Sequence, residues 1–449
     1  SGDLASNCSY GLVSSFVLLY LTGTLGLDSA IIGSLMLASK VLDGISDVIF
    51  GTLIDRTHSK LGKARPWMLF GQVGVSLCLF LLFAIPAGST TMQYIYFFIV
   101  YTALNAVFYT ANGIAYSSLV ALITKNNNER VQLGSFRFMF AVVTNIFMGF
   151  AVTGMVEKFG SGAAGWRTTA LIFAIVGLVV NTISCLAVKE LPEEELSGNT
   201  SEAAEEGKAV AEEKKHGFAE TAKILVHNKY YLMILAIYIV YYIMSNLTTG
   251  AGVFCATYYW GDGSLLGQFS MMKMFPVIIA LAIAPVLIKK TGSMQKVNFW
   301  GYAISSVLGI PMIYFAMQKN LSMFLLFMFI KGIFAGTLSG SLNALIAEAS
   351  GYTTRTTGVH MDGMMYSCSS LGVKVGGGIG TAAVGWLLKL GGFVGTATVQ
   401  SESAIRMIFN LYITFPFVIG IIITVLLAFL DVEKANKKWD AEHQKEAQA

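Results

Sequence analysis

Twelve stretches of this sequence are long and apolar enough to cross a bilayer, which takes about 20 helical residues. They run 4–24, 29–54, 66–86, 92–123, 132–156, 168–188, 230–258, 265–288, 297–317, 321–348, 358–388 and 407–430. A soluble chain of 449 residues would make about three domains. With 55% hydrophobic and 12% charged residues, against roughly 25% charged in soluble proteins, too few charges exist to cover them. The mean hydropathy is +0.65. The expected class is therefore an all-α, multi-pass membrane protein. Disorder, collagen, coiled coils and disulfide scaffolds are excluded by the same figures. A net charge of +4 is too small to imply a nucleic-acid partner. Cys8, Cys78, Cys185, Cys255 and Cys368 are odd in number and scattered through apolar runs, so free thiols are expected rather than a metal site or disulfides. The chain opens at Ser1, without Met, directly before the first apolar run; a missing N-terminal segment is expected, and no cleavable signal peptide is visible.

The runs fall six and six around one polar stretch. This layout predicts an N-terminal six-helix bundle over 1–189, a cytoplasmic linker over 190–229, a C-terminal bundle over 230–431 and a cytoplasmic tail over 432–449. Two halves related by duplication would suit it. Orientation follows from basic residues. By loop parity, twenty Lys and Arg fall on one side, among them Arg56, Lys125, Lys189, Lys290, Arg355 and Lys438. Five fall on the other: Lys158, Arg167, Lys319, Lys389 and Arg406. Both termini and the linker are expected in the cytoplasm, with the chain in a bacterial plasma membrane, in contact with lipid, as a monomer.

Lys40, Arg137, Lys273, Lys331 and Lys374 lie inside apolar runs, where each ionised group costs roughly 2.5–3.5 kcal/mol and needs a partner or water. Lys273 and Lys331 are open to three readings: snorkelling, lining water, or pairing with an acid such as Glu348. The second run carries the densest acidic feature, Lys40-Val41-Leu42-Asp43-Gly44-Ile45-Ser46-Asp47. Asp43 and Asp47, four apart, share one helix face. Two carboxylates in a low dielectric cannot both stay ionised without a counter-charge, which a proton, a metal cation or a basic side chain can supply. Oxygen ligands without His or Cys suit Na⁺, Li⁺ or H⁺ rather than zinc. Lys374, in Gly372-Val373-Lys374-Val375-Gly376, is the basic residue best placed to balance them from another helix. In the fourth run, Asn105, Tyr109, Thr110 and Asn112 interrupt an apolar stretch. The Thr110 hydroxyl either completes an oxygen shell or makes an interhelical hydrogen bond. Phe108, Tyr109 and Tyr116 either stack on a sugar ring or pack between helices.

After the second run comes Asp55-Arg56-Thr57-His58-Ser59-Lys60-Leu61-Gly62-Lys63-Ala64-Arg65-Pro66-Trp67. Asp55, Arg56, Lys63 and Arg65 suit a cytoplasmic gating loop, and the arrangement resembles the signature loop of the major facilitator superfamily. With GDLASN (2–7), DGISD (43–47) and YSCSSLGVKVGG (366–377), the whole chain resembles the glycoside–pentoside–hexuronide:cation symporters. That resemblance implies the major facilitator fold, twelve transmembrane helices in two pseudo-symmetric six-helix bundles. It implies cation-coupled symport of a glycoside, pentoside or hexuronide by alternating access, with no cofactor beyond the coupling Na⁺, Li⁺ or H⁺. Carried over by position, Asp43 and Asp47 are the cation-binding carboxylates, or metal ligands if the ion is Na⁺ or Li⁺. Ser46 and Thr110 stand at neutral ligand positions, Lys374 and Lys40 at charge-balancing ones. Asn7, Tyr109 and Arg137 are substrate-binding, and Asp362 also falls on a family position. The acids with which the family's melibiose carrier grips its sugar fall here on Asn7 and Gly113, and a tryptophan falls on Ser117. A galactoside grip is thus lost. Fewer acids, with Lys374 and Arg137 at hand, would ease a hexuronide.

A non-transporting sensor on the same fold, or a carrier of a non-sugar solute, is the alternative; an intact acid pair argues against the sensor. A membrane enzyme is not expected, since no nucleophile–base pair or metal cluster appears and all five His lie at or beyond the ends of the apolar runs.

Overall fold

The structure, a computed structural model, describes residues 2–124, 126–191, 224–358, 362–397 and 399–446. Most of the linker (192–223), Lys125, His360 and the last three residues of the tail lie outside the described residues, as does the Asp362 side chain. All the regular structure described is helical. The membrane helices are α1 (Gly2–Thr24), α2 (Ser29–Asp55), α3 (Arg65–Leu82), α4 (Thr90–Ile123), α5 (Asn127–Lys158) and α6 (Gly162–Leu186). Then come α7 (Lys229–Tyr259), α8 (Leu265–Thr291), α9 (Met294–Met317), α10 (Leu321–Thr357), α11 (362–390) and α12 (402–429), with α13 (Val432–Glu446) as a tail helix.

Eleven of the described helices are apolar enough to span a membrane by composition. The remaining membrane helix is α2, which carries Lys40, Asp43, Asp47 and Asp55 among its apolar residues. Helix ends follow capping chemistry rather than the edges of apolar runs. The Asp28 carboxylate accepts from Ala30 N and Ile31 N, and Ser89, Ser293, Asn320 and Ser401 each accept a first-turn N–H. The α10 helix outlasts its expected apolar run by nine residues, to Thr357. Its polar end is held by α13: Asn436 Nδ2 donates to Glu348 O and Oε2, and Arg355 bonds Asn436 and Asp440. Glu348 thus meets Asn436.

The two sets of six helices repeat a pattern of caps. Glu190, just past α6, accepts at its carboxylate from Lys63 N, Ala64 N and Arg65 N at the start of α3. Glu433, just past α12, accepts from Met294 N, Gln295 N and the Ser293 hydroxyl at the start of α9. In each half the third helix also bonds the last: Arg65 Nε to Cys185 O, 3.0 Å, and Gln295 Nε2 to Leu427 O, 3.1 Å. The first helix of each half ends in a π-helical turn, Tyr20–Thr24 and Cys255–Tyr259.

By packing, the described chain forms two compact units whose borders do not follow the halves of the sequence. One comprises Ser1–Gly198, Asn246–Met271 and Gly378–Tyr412. Its aromatic core joins Phe16, Tyr20, Phe83 and Trp166, with ring centroids 5.0–5.9 Å apart. At the ends of its helices away from the chain termini, backbone meets backbone. A Cβ on Gly33 would lie 2.7 Å from Ala382 O, and one on Gly385 would lie 2.2 Å from Ser29 O. One on Gly149 would lie 2.8 Å from Gly267 Cα. Only glycine permits such an approach. The α2–α11 seam adds Ser29 Oγ to Gly385 O (2.9 Å), Trp386 Nε1 to Ser34 Oγ (2.9 Å) and the Lys389–Asp28 ion pair (2.6 Å).

The other unit comprises Asn199–Ser245, Met272–Gly377 and Ile413–Ala449. Its core includes Ile234, Tyr238, Tyr302, Leu345 and Leu427. Polar bonds cross it, from Tyr238 to Asn343 (2.8 Å) and from Asn298 to Ser341 (2.7 Å). All five cysteines are buried and free of disulfides.

Candidate functional site

The charged face of α2 forms the first cluster. Asp43 is 5% exposed. The Thr110 hydroxyl donates to its Oδ1 at 2.6 Å, and the Lys40 ammonium lies 3.4 Å from its Oδ2. Thr110 can reach because α4 changes register beneath it. Ala103–Tyr109 is π-helical, which leaves the Asn105 carbonyl five residues back to accept from the same hydroxyl at 2.9 Å. Of the two readings of Thr110, an interhelical bond is therefore present, and it runs directly to a carboxylate. Ser46 Oγ donates to Asp43 O at 2.9 Å, one turn back along its own helix. Its oxygen keeps lone pairs for a cation. Asp47, one turn further along the face, is half-buried. Carboxylate and hydroxyl oxygens with no sulfur or imidazole are a donor set for a hard monovalent ion or a proton. Among the described residues, no group of three or more His, Cys, Asp or Glu could hold a metal.

Above this face, α1, α2, α4, α7 and α11 line a cavity of about 30 Å³ whose walls include Tyr10, Ser14, Lys40, Tyr101, Asn105, Asn246, Thr249 and Thr381. It has room for water, and these polar groups stand in a wall otherwise made mainly by Val13, Val17, Leu18, Met36 and Val384. Tyr109 stacks on Tyr10, ring centroids 5.8 Å apart. The other aromatics of α4 divide: Phe108 packs where Gly74 of α3 leaves room, and Tyr116 faces α1. Asn112 serves packing, donating to Gln72 of α3 at 2.7 Å.

A second cluster joins α1, α4 and α5. Arg137 Nε lies 3.1 Å from Asp3 Oδ2, and its guanidinium rests 4.2 Å from the centre of the Tyr116 ring. The Tyr116 hydroxyl donates to the same Asp3 oxygen at 2.6 Å. Asn7 donates to Asp3 O and accepts from Asn145 at 3.0 Å. Arg137 and Asn7 thus both meet Asp3, an acid that sequence reading missed. Asp3 lies in the quoted run GDLASN, yet nothing local ties it to a residue 134 positions away.

In the expected gating loop, Asp55 and Arg56 are exposed at the end of α2. Trp67 Nε1 donates to Thr57 (2.8 Å), and Glu190 closes the loop over Lys63 and Arg65. Lys374 lies in the unit without the acid pair, in a π-helical turn, Gly372–Gly376, whose end glycines abut Tyr238 and Ile239 of α7.

A family profile described as MFS/sugar transport protein matches residues 1–434. The chain belongs to this family. The transporter is 26% identical to the isoprimeverose transporter of Lactiplantibacillus pentosus, over 99% of this chain and 90% of that one. It is 23% identical to a putative glycoside/cation symporter of Escherichia coli, over 97% and 91%. Among solved structures it resembles a bacterial homologue of the human lysosomal transporter Spinster, with TM-score 0.63 and 13% identity over 97% of this chain and 96% of that one. That likeness concerns the fold. These matches agree with the resemblance to glycoside–pentoside–hexuronide:cation symporters. The transporter is a multi-pass membrane protein of the major facilitator fold, and not an enzyme.

Proposed function

We propose that this transporter imports a glycoside or pentoside together with Na⁺, Li⁺ or H⁺ by alternating access. The observation that carries the reading is Asp43, a carboxylate deep in a membrane helix, 5% exposed, with the Thr110 hydroxyl at 2.6 Å and Lys40 at 3.4 Å. A fixed acid at membrane depth with oxygen neighbours is a coupling site for a proton or a hard cation. Asp43 and Asp47 bind the ion, and Ser46 and Thr110 add neutral oxygens. Lys40 and Lys374 balance charge as the ion comes and goes. Asn7, Tyr109 and Arg137 border the solute. The loop from Asp55 to Arg65 works as a hinge on the cytoplasmic side. The linker and both termini face the cytoplasm, the carrier sits in the bacterial inner membrane, and it acts as a monomer. Support comes from the family, the relatives' names and the chemistry of the α2 cluster.

The test begins with a thermal-shift screen of purified protein against glycosides and pentosides, with and without Na⁺. A ligand bound only by the folded state raises stability by RT ln(1 + [L]/Kd). Hits then go into proteoliposomes under Na⁺, Li⁺ or pH gradients. Uphill accumulation under one of these gradients is expected. Solute uptake indifferent to all three would overturn coupling.

A further inference from the structure

We infer that Asp3, by engaging Arg137, makes the cluster between α1, α4 and α5 selective for an uncharged polyhydroxylated solute and against a uronate. This rests on the reading that the carrier takes a glycoside-like solute bordered by Arg137.

The sequence presents Arg137 as a free positive charge that would welcome an acidic sugar. The structure gives it an acid. Asp3 Oδ2 lies 3.1 Å from Arg137 Nε and 2.6 Å from the Tyr116 hydroxyl, and the guanidinium lies over the Tyr116 ring at 4.2 Å. The Asp3 backbone carbonyl accepts from Asn7, whose side chain is fixed in turn by Asn145. The pair is electrically neutral and reachable, its side chains 14% and 27% exposed. A carboxylate entering here must take Arg137 from Asp3, leaving two like charges face to face in a partly dry site. A hydroxyl meets no such conflict. It donates to one member of the pair and accepts from the other, so the pair stays intact. The arrangement also sets geometry, because Tyr116 anchors both partners.

Matched glycosides that differ only in charge provide the test. Equilibrium binding to purified protein at neutral pH would compare p-nitrophenyl xylosides and glucosides, both anomers, with the corresponding glucuronides. Wild type should bind its best neutral glycoside at least about tenfold tighter than any glucuronide. Asp3→Asn should shrink that ratio severalfold by strengthening the glucuronide, whereas Asp3→Glu, which keeps the charge, should preserve it. A wild type that prefers a glucuronide overturns the inference, as does a folded Asp3→Asn protein with an unchanged ratio. In both cases sugars still bind, and the glycoside reading stands. Binding of no glycoside or glucuronide at all removes that reading and this one with it. Should Asp3→Asn fail to fold, the wild-type ratio decides alone.

Discussion

At the residue scale, Asp43 carries most of the functional reading. Asp43→Asn keeps the shape and the Thr110 contact but removes the charge. Uphill solute accumulation in proteoliposomes should be abolished, while exchange down the solute's own gradient survives in part. Stability should fall only modestly, because relief of repulsion from Asp47 offsets part of the lost pairing with Lys40. Normal accumulation in Asp43→Asn would remove the coupling role. Lys40 makes the complementary case, since at 3.4 Å from Asp43 its ammonium competes with any bound cation. Lys40→Ala should therefore tighten cation binding severalfold, read by isothermal titration with Na⁺ and Li⁺. Weaker binding would show that Lys40 helps build the site, and unchanged binding that it does not compete with the ion. At the far end of α2, the Lys389 ammonium bonds Asp28 at 2.6 Å and holds that carboxyl below its ordinary value of 3.8. A carboxyl whose pKa is lowered by folding stabilises the fold fully above the ordinary value, and loses that stabilisation as pH falls through the lowered one. Lys389 is solvent-exposed, so screening keeps the effect small. Wild type should melt slightly above Lys389→Ala at pH 7, and the gap should close on strong acidification. A gap that widens on acidification would reverse the assignment.

At the element scale, the paired caps and the glycine seam make separate claims. Removing Glu190 strips an acceptor from three N–H groups at the start of α3, and removing Glu433 does the same to two at the start of α9. Loss of a helix cap costs about 1–2 kcal/mol. Glu190→Ala and Glu433→Ala should each lower the melting temperature comparably, and the double variant should show the sum, since the caps share no partner. A strongly unequal pair of shifts would deny the structural repeat its energetic counterpart. On the seam, a side chain at Gly385 meets Ser29 O, so Gly385→Val must push α11 from α2. Uptake and melting temperature should both fall, whereas Gly51→Ala, inside α2 with nothing within 4 Å of its Cβ position, should lower neither. The same elements show what the sequence could tell. The Asp43–Asp47 pair was legible because four-residue spacing is a local rule. Glu190 was not, because its charge reads as part of a polar linker until α3 and α6 are side by side. The π-helical turn over Ala103–Tyr109 leaves no mark in the pattern of apolar residues, yet it decides that Thr110 bonds both Asn105 and Asp43.

For the whole molecule, twelve helices were legible from hydropathy, α2 among them although it carries Asp43 and Asp47. Within it Lys40 meets Asp43 from one turn back on the same helix, whereas Thr110 reaches Asp43 only once α4 packs on α2. Asp3 and Arg137 were unreadable as a pair for the same reason, being brought together only when α1 and α5 pack. Orientation is the global property that sequence asymmetry implies and packing does not test. Twenty basic residues against five on opposite sides of the helices predict a cytoplasmic linker and tail. Single cysteines at Glu402 and Lys438, in a protein freed of its native thiols, should then behave oppositely in intact cells. Glu402, in the first turn of α12, lies on the side predicted to be external, and Lys438, on α13, on the cytoplasmic side; both are exposed. A membrane-impermeant maleimide should label the cysteine at 402 and spare the one at 438 until the membrane is opened. Because an odd number of crossings lies between helix ends on opposite sides, the two sites must differ whatever the orientation. The pattern therefore reports the sign of the asymmetry and does not depend on which solute the carrier moves. Labelling at 438 with protection at 402 would turn the carrier over, and with it the direction in which a cation gradient could drive the solute.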